Sequence, residues 1–84
     1  MQSRVMRNKK IYIIATCLKV IGTNRYDFHF KGWFMGQRVE RLVLEGQSFE
    51  ICKEYLVSAN VINCHEGVLV CETITSKPIF NRSH

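Results

Sequence analysis

Five of the chain's nine aromatic residues fall within one stretch, RYDFHFKGWFM, from Arg25 to Met35. Tyr26, Phe28 and Phe30 alternate there with Asp27, His29 and Lys31. Period-2 alternation is the signature of a strand with one buried and one wet face, so the three aromatics are assigned to a core. Gly32 then leaves two readings. If alternation runs straight through it, Arg25, Asp27, His29, Lys31 and Trp33 share the outward face. If a bulge at Gly32 flips the register, Trp33 and Phe34 are buried in turn.

The rest of the chain falls into strands around this one. Lys9 to Ile21 is apolar at nearly every position and rich in β-branched residues, which favours strand over helix. Ile11, Ile13, Ala15 and Cys17 would face one way and Tyr12, Ile14, Thr16, Leu18 and Val20 the other. Two apolar faces predict a strand covered on both sides for part of its length. Gly22-Thr23-Asn24 makes a turn into the aromatic strand and Gly36-Gln37 a turn out of it. A third strand follows over Arg38 to Leu44, with Val39, Arg41 and Val43 alternating against Arg38, Glu40, Leu42 and Leu44. A fourth runs from Tyr55 to Ile62, with Tyr55, Val57, Ala59 and Val61 on one face. A fifth spans Val68 to Thr75. Ser48 is placed to cap at most one short helical turn over residues 48–53. Asn63 to Gly67 reads as a five-residue loop, and Ile79 and Phe80 as an apolar plug that folds back.

Eighty-four residues make one domain. The expected layout is a basic N-terminal arm over residues 1–8, a barrel over 9–80 and a tail over 81–84. Three meandering strands followed by a late hairpin predict an all-β, small five-stranded antiparallel barrel, because closure removes sheet edges that would otherwise template aggregation. The strand count and order, the glycine-interrupted second strand and the stretch FEICKEYLVSANVINCHEGVLVCETI resemble the oligonucleotide/oligosaccharide-binding (OB) fold at the level of pattern. An SH3-like barrel fits the same pattern. The OB resemblance implies a ligand face along strands two and three. The chain departs from it between strands three and four, where OB domains often carry a helix and residues 45–53 have room for a single turn.

Charge is unevenly placed within a net +5: residues 1–41 carry net +7 and residues 42–84 net −2. A basic half suits an acidic partner, although Arg4, Arg7, Lys9 and Lys10 of the arm serve equally as a solubilising tail. Arg25, His29, Lys31 and Trp33 on strand two, with Arg38 and Arg41 on strand three, form the candidate binding set. An exposed indole stacks on unpaired bases while the cations track phosphates. Two readings follow. One is a non-enzymatic module for single-stranded nucleic acid. The other is a protein-interaction module, accessory subunit or homo-oligomer that uses surplus apolar surface on strand one.

Other chemistry finds little support. Cys52, Cys64, His65 and Cys71 lack the CxxC pair that gives two zinc ligands from one turn, and neither a phosphate loop nor a close carboxylate pair is present. No cofactor, metal or catalytic residue is implied. The four cysteines, Cys17, Cys52, Cys64 and Cys71, are widely spaced and read as buried free thiols of a cytoplasmic protein, with one or two bridges as the alternative. The basic start and short apolar run before Cys17 also resemble an export signal or lipoprotein box, but removing them would delete a barrel strand. No stretch reaches the length of a membrane span.

Overall fold

The computed structural model describes residues 9–80 and shows an all-β closed barrel of five strands. These are β1 (Lys10–Gly22), β2 (Arg25–Phe34), β3 (Gln37–Glu45), β4 (Glu54–His65) and β5 (Val68–Pro78). Around the barrel they run β1-β2-β3-β5-β4. Four contacts are antiparallel, as expected. The fifth, β3 with β5, is parallel and runs from Arg41 opposite Val68 to Glu45 opposite Glu72. The barrel is therefore mixed, and consistent with an OB-like fold. The arm at residues 1–8 and the tail at 81–84 lie outside the described residues. No helix among the described residues is long and apolar enough to cross a membrane.

The core follows from alternation. Ala15 and Cys17 from β1, Phe28 from β2, Tyr55, Val57, Ala59 and Val61 from β4, and Leu69 and Cys71 from β5 all point inward. Tyr26 and Phe30 are half-buried against this cluster. The third strand breaks the expected pattern. Val39, Leu42 and Leu44 are buried, while Glu40 and Arg41 are both exposed. The cause is a bulge: the N–H groups of Glu40 and Arg41 both donate to the carbonyl of Gly67, at 2.9 and 3.2 Å.

The segment between β3 and β4 forms no helical turn. Phe49 drops into the core and meets Phe28 and Tyr55 edge-to-face at ring separations of 4.9 Å each, and Tyr26 at 5.4 Å. The Glu50 N–H donates to the Tyr55 hydroxyl at 2.8 Å, and the Cys52 N–H to the Cys17 carbonyl at 2.7 Å. Cys52 sits at φ 68°, which a right-handed turn forbids. Side-chain anchoring and strand-like pairing with β1 thus hold this segment, within the limit of at most one helical turn that the sequence set.

Three expectations on connections and coverage are corrected. The β4–β5 connection is a two-residue turn, since β4 continues to His65 and only Glu66 and Gly67 lie outside the strands. Both residues have positive φ, 52° and 80°, as do Met35 and Gly36 at the β2–β3 turn, 50° and 80°. Two positive φ values in a row define the hairpin turn whose twist matches its flanking strands. Phe80 is 77% exposed and plugs nothing, because β5 pairs with β4 as far as Pro78 and carries the chain off the barrel's end. The outer row of β1 is not covered: Tyr12, Ile14, Leu18 and Val20 are exposed.

Glutamate and methionine are poor residues for left-handed backbone, where asparagine is tolerated. Glu66→Asn and Met35→Asn should each raise stability by about 0.5–1 kcal/mol in urea unfolding. Unchanged or lower midpoints would mean that these turns are not built as described.

Candidate nucleic-acid interface

The outer face of β2 and β3 is laid out by the residues buried beneath it. Phe28 is fully buried, and Phe30 and Phe34 pack partly against the core. His29, Lys31 and Trp33, between and beside them, are exposed. The β2–β3 ladder does shift register between His29 and Gly32. The shift does not invert the strand, because burial alternates on both sides of Gly32. Trp33 is 72% exposed, and the reading in which it turns inward is not realised. A Cβ added at Gly32 would stand 3.0 Å from the end of the Phe30 ring, so the glycine lets that ring lie flat over the strand.

Cross-strand register brings the candidate residues into pairs. Trp33 stands opposite Arg38, His29 opposite Arg41 and Arg25 opposite Glu45. Lys31 lies between the first two pairs, within the register shift. All six candidate residues, Arg25, His29, Lys31, Trp33, Arg38 and Arg41, are exposed on this wall.

The cations differ in how freely they can meet a ligand. Arg41 holds Asp27 with two contacts, Nε to Oδ1 at 3.2 Å and a terminal nitrogen to Oδ2 at 3.1 Å. Asp27 is only 4% exposed, so its carboxylate depends on that guanidinium for solvation. Arg25 is drawn to Glu45 at 2.9 Å. Arg38 lies 3.5 Å from Glu40, with both side chains well solvated, a contact a phosphate can displace. Lys31 makes no ion pair among the described residues. Trp33, Lys31 and Arg38 are thus the available part of the set, with His29 beside them. Arg41 and Arg25 are partly committed to the barrel itself. The sequence contained one signal for this, an acidic residue at an outward position of an otherwise basic face.

The thiols add no second site. All four cysteines are free, but only Cys17 and Cys71 are buried as expected. Cys64 is half-buried, and Cys52 is exposed in its positive-φ turn. Burial, with Cys64 nearby, pushes the Cys71 thiol up to about 12. Burial also raises Cys17, with Cys52 and Asp27 adding to it. Both remain protonated and unreactive near neutral pH. No group of three His, Cys, Asp or Glu side chains gathers among the described residues.

Comparison with protein-family models, with curated proteins and with solved structures finds no match. The functional reading therefore rests on the residues of this chain.

Removing Arg41 leaves a buried carboxylate without its partner, whereas Glu40 keeps its water when Arg38 is removed. Arg41→Ala should cost about 1–3 kcal/mol of stability. Arg38→Ala should stay within about 0.5 kcal/mol. Equal effects in urea unfolding would contradict the difference drawn between the two arginines.

Proposed function

We propose that this barrel is a non-enzymatic binding module that holds unpaired nucleic acid across the outer face of β2 and β3. The observation that carries the reading is Trp33, 72% exposed on a regular strand, with Lys31 two residues before it and Arg38 directly across. An indole left in water forgoes about 2–3 kcal/mol of burial. A flat aromatic surface beside mobile cations is what a base and its phosphate require. Trp33 supplies the stacking surface, Lys31 and Arg38 the phosphate contacts, and His29 a further polar contact. Arg41 and Arg25 contribute field more than contact, being held by Asp27 and Glu45. Arg4 and Arg7, outside the described residues, add to the positive charge of the chain.

A binding role suits the geometry better than catalysis, because the carboxylates of this face, Asp27, Glu40 and Glu45, are each engaged by an arginine. A second reading, a protein-interaction module, is favoured by a different observation: the exposed apolar row on β1.

Binding of a fluorescently labelled, mixed-sequence single-stranded oligonucleotide, followed by anisotropy, tests the proposal. With about two phosphates engaged, log affinity should fall against log salt with a slope of about −1.4. Trp33→Ala should lose about 1–3 kcal/mol of binding free energy. No binding at low salt, or binding that Trp33→Ala leaves unchanged, would overturn the reading.

A further inference from the structure

β1 closes the barrel with two neighbours in turn. It pairs with β4 from Lys10 to Thr16 and with β2 from Thr16 to Gly22. Before Thr16, β1 and β2 carry no ladder between them among the described residues, so their ends form the two arms of a notch. The direction of the open backbone groups follows from the ladder with β4. The Val61 N–H donates to the Lys9 carbonyl and the Cys17 N–H to the Lys53 carbonyl, each at 2.9 Å. Alternate residues of an antiparallel strand bond to the same neighbour. Ile11, Ile13 and Ala15, in step with Lys9 and Cys17, therefore turn their N–H and C=O groups to β4. Lys10, Tyr12 and Ile14 turn theirs into the notch. Such an edge templates another strand unless charge, proline or a bulge blunts it, and here only Lys10, at one end, does so. Its side chains are apolar on both faces: Tyr12 and Ile14 are 71% and 53% exposed outside, and Ile11 and Ile13 are half-buried within.

We propose that this edge takes an added strand, an extended segment of another protein that is rich in β-branched or aromatic residues and flanked by Asp or Glu. Backbone pairing with Lys10, Tyr12 and Ile14 holds the segment, and the apolar side chains on both faces of β1 supply its cross-strand contacts. Charge selects against a second copy as the occupant. β1 contains Lys10 and Lys19 and no carboxylate, and Lys31 lies on the facing arm. Lys10 and Lys31 make no ion pair among the described residues. Glu54 and Glu72 of the neighbouring strands lie on the β4 side, away from the notch. A second copy pairing through the same edge would bring another Lys10 and no acid, and its whole barrel would have to enter between β1 and β2. The site needs neither Trp33 nor an unpaired base, so it is tested separately from nucleic-acid binding.

A displayed library of random heptapeptides, selected on the full chain, supplies the probe. A synthetic peptide of the enriched sequence is then followed by anisotropy and by amide hydrogen exchange of the protein. Enriched sequences should carry β-branched or aromatic residues with Asp or Glu at an end. In the free protein the amides of Lys10, Tyr12 and Ile14 should exchange at least about tenfold faster than those of Ile11, Ile13 and Ala15, and the peptide should slow them at least about tenfold. Tyr12→Pro should weaken binding at least about fivefold with circular dichroism unchanged, because it removes an N–H from the open edge and none from the β4 ladder. N-methylation of alternate peptide amides should weaken binding at least about tenfold in one of the two frames. No enriched peptide, edge amides already slow in the dilute free protein, or N-methylation harmless in both frames would overturn the proposal. Slowing that grows with protein concentration in the absence of peptide would assign the edge to a second copy and overturn it as well.

Discussion

The edge-to-face contact of Phe49 with Tyr26, Phe28 and Tyr55 is the interaction on which the rest of this barrel depends. Each aromatic pair adds about 0.5–1.5 kcal/mol beyond burial, and Phe49 makes three of them. The larger consequence is register. Tyr26 and Phe28 stay on the core side only if β2 pairs as it does, and a slip of one residue would expose them and bury His29 and Lys31. The same loop closes the end of the barrel where a helix is often found in OB domains. It does so with one ring, a tyrosine hydroxyl and strand-like bonds to Cys17.

The functional face is the reverse side of that constraint. Once Phe28 and Phe30 are committed inward, His29, Lys31 and Trp33 have only the solvent side left. Electrostatics then sorts the cations. Three of the twelve basic residues, Arg4, Arg7 and Arg82, lie outside the described residues, which leaves nine against seven carboxylates in the barrel. Several of the nine are drawn into pairs, Arg41 most firmly because Asp27 is buried. A face that is mostly basic in sequence therefore has a structural end, around Asp27 and Arg41, and an available end, around Lys31, Trp33 and Arg38.

What the sequence made legible was whatever alternates cleanly. Tyr26, Phe28 and Phe30 defined β2, and Tyr55, Val57, Ala59 and Val61 defined β4, because period 2 leaves little freedom. The failures lie where backbone conformation departs from residue preference. Nothing in Glu66 or Met35 advertises positive φ, so the sequence predicts a five-residue loop where the structure has a two-residue hairpin turn. The Glu40–Arg41 bulge is set by the Gly67 carbonyl, far away in sequence. The parallel β3–β5 pairing is likewise a long-range choice. The position of Trp33 stayed open because the residues around Gly32 are compatible with either register, and only the packing of Phe30 and Phe34 decides it. Asp27 looked like one more polar residue on a wet face, because its burial depends on neighbouring strands.

The two walls of the barrel have different characters. One is aromatic and cationic; the other sets exposed apolar residues, Tyr12, Ile14 and Leu56, among charges of both signs, Lys10, Glu54, Glu72 and Lys77. The central claim is that Trp33 stands in water on β2 and is covered by a nucleic acid. Trp33 is the only tryptophan, so acrylamide quenching of its fluorescence, with and without an unpaired oligonucleotide at low salt, addresses it directly. Free access of acrylamide to the bare protein, with shielding on addition of the oligonucleotide, is the predicted result. Quenching that the oligonucleotide leaves unchanged would contradict the account.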